Sequence, residues 1–267
     1  STTTNGNNEL QDVDGDANPD AWTLVRDSMD VVNMATGKTP LRVACIPKVY
    51  KTLNNDRTSG DPTVAYSSSF NQNVPMLSDM TKAALNVLDN NTNGFSLMIE
   101  GGAVDWAGHD NAAGRLIEEQ ADFDEAVQAV IDWVEDSSSW DETLLIVTGD
   151  HECGYFVGES FDTNDIMGTW EVSDNGQGNM PGYMFFDDYH TNQLVPVYMK
   201  GQGAEIIAEY ADHDDYVLGK YMDNTEIAQG VFKMWKSLPA AEPNIKSSSV
   251  ITGNDRVASE MKQSDEL

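Results

Sequence analysis

Three of the four histidines in this chain fall beside carboxylates at the ends of apolar runs, the placing expected of metal ligands. Asp105 and His109 are four residues apart and share one face if that stretch is helical. Asp150 and His151 follow Ile146-Val147-Thr148-Gly149, Glu100 follows Leu97-Met98-Ile99, and His190 precedes the run containing Leu194. Nitrogen and oxygen donors in this mix suit zinc, with magnesium favoured where oxygens alone meet. A lone Asp-x-x-x-His pair is more often a solvated helix pair than a ligand pair. An Asp-His dipeptide closing a buried strand is harder to explain structurally, because both polar groups need partners. Together these residues predict a metal centre.

The elements that must position them are read from periodicity. Apolar runs at Phe95–Ile99, Leu144–Val147 and Leu194–Met199 predict strands, and the stretch from Leu116 to Val134 predicts an amphipathic helix between the first two. Continuous apolar strands alternating with a helix indicate an α/β class, a layered α/β/α sandwich with a mainly parallel central sheet. In such sheets ligands gather at the carboxyl ends of strands, where Glu100 and Asp150-His151 stand. Leu41–Ile46 predicts a further strand closed by Pro47, Met76–Leu88 a helix and Thr225–Trp235 a last helix. Gly154–Asp188 is rich in Gly, Asp and Asn and predicts irregular loops. The expected organisation is an acidic N-terminal segment over 1–40, a metal-binding α/β domain over 41–237 with a Ser/Asn/Asp-rich insertion at 52–74, and a polar tail over 238–267.

With 267 residues and 40% hydrophobic content the chain can build a core. Forty-five acidic against 15 basic side chains give a net charge of -30, which repels nucleic acid and anionic membrane surfaces. No apolar run is long enough to span a membrane. The acid excess also matches a surface adapted to high salt, or an ordinary acidic secreted protein. Any anionic ligand bound on such a surface needs a site that carries its own positive charge. The chain begins with a polar stretch and not a signal peptide, so any export signal is expected to have been removed or to lie upstream. Cys45 and Cys153 are too few for a disulfide framework; Cys153, although close to His151, reads as an inert small hydrophobe, and His213 in Asp212-His213-Asp214-Asp215 as solvated. Asp12, Asp14, Asp16 and Asp20 alternate like calcium-loop ligands, but Ala17 and Thr23 stand where an EF-hand needs glycine and glutamate. Bound calcium and a solvated acidic turn both fit that stretch.

The stretch Ile99-Glu100-Gly101-Gly102-Ala103-Val104-Asp105-Trp106-Ala107-Gly108-His109, then Leu116-Ile117-Glu118-Glu119-Gln120, Thr148-Gly149-Asp150-His151-Glu152 and His190-Thr191-Asn192, resembles bacterial alkaline phosphatases. The resemblance runs from about Met76 to Gly201. It implies that Asp105, His109 and His190 hold a first zinc, that Asp150 and His151 supply part of a second zinc site, and that Glu100 binds magnesium. Trp106 resembles marine and cold-active members, where others carry a basic residue or histidine. The activity implied is hydrolysis of phosphate monoesters through a phosphoserine formed by in-line attack, in a periplasmic or extracellular protein that is commonly a homodimer.

The family's serine lies in an Asp-Ser-Ala motif at a helix start, with a phosphate-clamping arginine downstream, and neither is recognisable here. The nearest match, Asp27-Ser28-Met29, carries a bulky Met29 and an acidic Asp30 where small residues are needed. The expectation is therefore a chain that supplies metal ligands but not the nucleophile. Two rivals are a phosphodiesterase or sulfatase of the same superfamily, which shares the metal ligands, and a non-catalytic cation-binding surface protein.

Overall fold

An apolar run becomes a strand only when another backbone lies alongside to take its hydrogen bonds, and this decides where the sheets form. The computed structural model describes residues 18, 20–49, 51, 54–162 and 171–237. Asp12, Asp14 and Asp16 of the candidate calcium loop lie outside the described residues, as does the 238–267 tail. The chain opens with β1 (Thr23–Val25), α1 (Ser28–Asn33) and β2 (Val43–Cys45). Asp27 caps α1 by accepting the Met29 N–H at 3.1 Å. β1 and β2 run parallel, with Thr23 opposite Val43. Beneath them Val25 and Val31 pack with Ala83 of α2 (Leu77–Leu88), flanked by Met34, Val43 and Met80.

Two further helices, α3 (Ala103–His109) and α4 (Ala113–Ser137), follow. Ala103, Ala107, Ala112 and Ala113 are all buried between them, and side chains this small let the helices approach closely. The first N–H of α2 has no cap of its own. Asp122 of α4 supplies one, accepting the Leu77 N–H at 3.1 and 3.3 Å and tying the two helices together.

The remaining elements are β3 (Leu144–Thr148), β4 (Glu152–Cys153), β5 (Phe156–Gly158), β6 (Tyr183–Phe185), β7 (His190–Thr191), β8 (Val197–Gly201), α5 (Ala204–Ala208), β9 (His213–Asp215), β10 (Gly219–Tyr221) and α6 (Asn224–Ser237). The pairs β3–β8, β4–β7, β5–β6 and β9–β10 are all antiparallel. A mainly parallel central sheet is thus not what the described residues form; β1–β2 is their one parallel pair. Strand β8 does join β3, as its apolar pattern predicts, but in the opposite direction. The predicted strand at Phe95–Ile99 forms no ladder among the described residues. Among the described residues no backbone hydrogen bond reaches it, and Met98 is 79% exposed. The region predicted as irregular loops contains the β5–β6 ladder.

The loop over 54–74 is docked on α4 through buried charge. Arg115 and Glu118 of α4 and Arg57 of this loop have side chains at most 2% exposed. Glu118 pairs with Arg57, accepts from Arg115 at 3.1 Å and takes the Tyr66 N–H at 2.5 Å. Arg115 also donates to the Ser59 carbonyl at 2.8 Å, and its guanidinium partner Arg57 lies over the Phe70 ring at 4.7 Å. Gly114 makes the close approach possible, since a Cβ there would lie 2.4 Å from the Val64 carbonyl carbon and 2.6 Å from the Ala65 nitrogen. Backbone cannot yield cheaply, so Gly114→Ala is expected to destabilise the protein by about 1–3 kcal/mol. A lower urea midpoint and faster proteolysis within 54–74 would report it.

Glu119 accepts the Asn54 N–H at 2.8 Å on the same face. Burial pushes its carboxyl up to about 7 from an ordinary 4.5, and the charge of Asp122 adds to the rise. Between those two values the folded protein holds a proton that the unfolded chain has released, so stability from this group falls as pH rises through that window. Glu119→Gln keeps the acceptor and removes the charge. The variant is expected to match its parent in urea midpoint near pH 4.5 and to exceed it at pH 8.

Candidate metal centre

Strands β4 and β7 pair with Cys153 directly opposite His190, and directly opposed residues share one face of a ladder. Glu152 fastens the pair, accepting the Thr191 hydroxyl at 2.5 Å and the Phe156 N–H at 3.0 Å. Helix α3 lies against this ladder. A Cβ at Gly108 would meet the Cys153 Cβ at 3.0 Å and its carbonyl oxygen at 3.1 Å, so a larger residue would press helix and strand apart by a few tenths of an ångström. The face of α3 that carries Asp105 and His109 is thereby brought to His190.

Asp105 Oδ1 is the pivot. It lies 3.1 Å from His190 Nε2, 3.5 Å from His109 Nε2 and 4.0 Å from His151 Nδ1. The two Nε2 atoms of His109 and His190 are 3.0 Å apart. The Nδ1 of His109 sits 2.5 Å from the Asp188 carbonyl oxygen. A carbonyl only accepts, which assigns the proton to Nδ1 and turns the Nε2 lone pair toward the cluster. The His151 ring stacks on that of His190 with centroids 3.5 Å apart.

Donors about 2.0–2.1 Å from a tetrahedral zinc are about 3.3 Å from one another. The triangle of 3.0, 3.1 and 3.5 Å formed by His109, His190 and Asp105 has that size. Two imidazole nitrogens facing each other beside a carboxylate also require a proton or a cation between them. The residues therefore fit a zinc ion.

The other predicted ligands are placed differently. Asp150 has a side chain 90% exposed and reaches the group only through His151 Nε2, at 3.5 Å. Glu100 is exposed and curls over Gly102; among the described residues no hydrogen bond or ion pair joins it to the cluster. Ser28 begins α1 and donates to the Asn73 carbonyl at 2.6 Å. Asp20 offers its backbone carbonyl to Arg42 at 3.3 Å. Trp106 does more than fill space, since Lys51 Nζ lies 4.2 Å from the centroid of its ring. His213 stands 3.7 Å from Asp212 on an exposed ladder.

Cys153, which reads from sequence as an inert small hydrophobe, stands among the predicted ligands. It is half-buried, and its Sγ lies within 4.8 Å of ligand atoms of Asp105, His109 and His190. Burial pushes its thiol up to about 12, helped by a hydrogen bond to Asp105. The signal available in sequence was its offset of two from His151, which is same-face spacing in extended chain.

The alkaline phosphatase family model matches residues 58–225, well over half of the chain. The chain belongs to the alkaline phosphatase family. Alkaline phosphatase 3 of Bacillus subtilis (strain 168) is 40% identical to it over 88 residues, which cover 33% of this chain and 18% of that protein. The tissue-nonspecific alkaline phosphatase isozyme of Rattus norvegicus is 30% identical over 161 residues, covering 51% of this chain and 30% of the rat protein. The chain thus spans a minor part of the length of these curated relatives. Its fold is similar to that of a cold-active alkaline phosphatase from a psychrophilic Shewanella sp., with a TM-score of 0.54 at 18% identity over 79% of this chain and 59% of that one. All four motifs that carry the resemblance to alkaline phosphatases fall within the matched span.

Proposed function

We propose that this chain is the metal-binding part of an alkaline phosphatase that hydrolyses phosphate monoesters. In this reading Asp105, His109 and His190 hold one zinc, His151 and Asp150 contribute to a second, and Glu100 contributes to a magnesium site. The observation that carries it is the zinc-sized triangle of donors on α3 and β7. When bound, such ions supply Lewis acidity and a local positive charge on a surface of net charge -30. The chain's own residues pre-form the site. Asp188 fixes the His109 tautomer, Glu152 holds His190 in register by bonding Thr191, and Gly108 sets the distance between helix and ladder.

No Asp-Ser-Ala motif is recognisable in the sequence, and the nearest serine, Ser28, donates its hydroxyl to the Asn73 carbonyl; Ser28 is not assigned as the nucleophile. A mainly parallel central sheet belongs to the same proposal. The unladdered run at 95–99 and the open edge of β3 are the places where parallel neighbours would add. The spread acid excess supports a high-salt, extracytoplasmic setting.

Elemental analysis of the purified chain, with p-nitrophenyl phosphate turnover at alkaline pH, tests the reading. Stoichiometric zinc without turnover is the expected result. Turnover would place the nucleophile within this chain, and absence of zinc would leave the cation-binding surface protein as the better account.

A further inference from the structure

We propose that the Cys153 thiolate is a fourth ligand of the ion held by Asp105, His109 and His190, which makes the site a mixed sulfur, nitrogen and oxygen centre. The proposal rests on the zinc reading given above and adds to it a donor from this chain's own ladder. Three independent placements carry it. The β4–β7 register sets Cys153 directly opposite His190. The close approach at Gly108 brings α3 onto Cys153, with Sγ 3.1 Å from the position a Cβ would take. The ligand atoms of all four residues lie within 4.8 Å of one another.

A zinc–sulfur bond near 2.3 Å puts sulfur about 3.6 Å from each neighbouring nitrogen or oxygen donor. Rotation of Cys153 about its Cα–Cβ bond is the adjustment available to bring it to that distance. The sulfur and the Asp105 carboxylate oxygen lie within 4.8 Å of one another, beside the two histidine nitrogens. Coordination forms one metal–sulfur bond, and the thiol proton leaves to solvent as the cation takes its place. Zinc accepts a fifth donor in catalytic sites, so the thiolate does not have to displace a substrate oxygen. A thiolate also biases the centre toward softer ions.

The test is cobalt titration of the full chain after chelator treatment, in a Cys45→Ser background that removes the second cysteine. The expected result is visible ligand-field bands saturating at one equivalent, with a near-ultraviolet sulfur-to-cobalt charge-transfer band. In Cys153→Ser the charge-transfer band should vanish while the visible bands remain. Competition between cadmium and zinc should shift toward zinc by at least about tenfold in the same variant. Visible bands without the charge-transfer band in the Cys153-containing chain would overturn sulfur ligation and leave the zinc reading intact. Absence of visible bands in both proteins would overturn both. Persistence of the charge-transfer band in Cys153→Ser would also overturn the assignment.

Discussion

His109→Ala is expected to lower the zinc affinity of the chain at least about 100-fold, the upper end of what losing a mere supporting residue costs at a zinc site. His109 provides one corner of the 3.0, 3.1 and 3.5 Å triangle, and its Nε2 is aimed there by the bond from Nδ1 to the Asp188 carbonyl. Removing the ring takes one corner from the donor set and leaves Asp105 and His190, with the proposed Cys153 sulfur, one donor short of a closed tetrahedral shell. The helix loses little, because alanine is the best helix former and His109 is the last residue of α3. Unchanged circular dichroism together with the affinity loss, read by competition against a chromophoric chelator, would locate the effect at the metal. An affinity within threefold of the parent would mean that the triangle is not the site.

Glu118→Ala is expected to cost about 3–5 kcal/mol, because it strands two buried guanidinium groups. Glu118 is the common partner of Arg57 and Arg115 and the acceptor for the Tyr66 N–H. The guanidinium groups have no slack to absorb the loss. Among the described residues Arg57 Nε and Nη1 and Arg115 Nε already lack partners. Urea unfolding would measure the loss, and Glu118→Gln should lose less because it keeps an acceptor oxygen. Hydrogen exchange should show the segment around Tyr66 opening first in the alanine variant. A loss below about 1 kcal/mol would mean that water replaces the carboxylate and that the network does not hold the 54–74 loop.

Much of the helical framework was legible because its signals are local. The apolar spacing from Met76 to Leu88, around Leu116–Val134 and at Thr225–Trp235 placed α2, α4 and α6, with ends displaced by at most three residues. The short α1 escaped notice because one turn and a half gives too little periodicity to read, and its cap at Asp27 is visible only once β1 precedes it. The stretch from Thr52 to Val74 reads as loop-like, and its described residues, 54–74, form no helix or strand. That it is anchored by buried charge was not legible, since Arg57 and Glu118 lie far apart in sequence and each looks like a surface residue.

The strands show the limit most clearly. Phe95–Ile99 has the apolar content of a buried strand and Leu144–Thr148 has the same, yet only the second finds a partner, in β8. Strand existence depends on a neighbour that side-chain pattern does not name, and direction depends on how the connection returns.

What the sequence determined by itself is the donor inventory: Asp105 and His109 on one helical face, histidines set beside carboxylates, and an acid excess that excludes polyanionic partners. These follow from covalent spacing and charge, which no fold alters. Tertiary structure alone decided which donors meet. It turned Asp150 outward, set His190 opposite Cys153 and pressed Gly108 onto the β4–β7 ladder. Ligand sets of this kind are assembled by long-range register and close packing, so Cys153, which reads as inert from its sequence context, stands beside the cluster while Glu100, in the motif beside Asp105, does not.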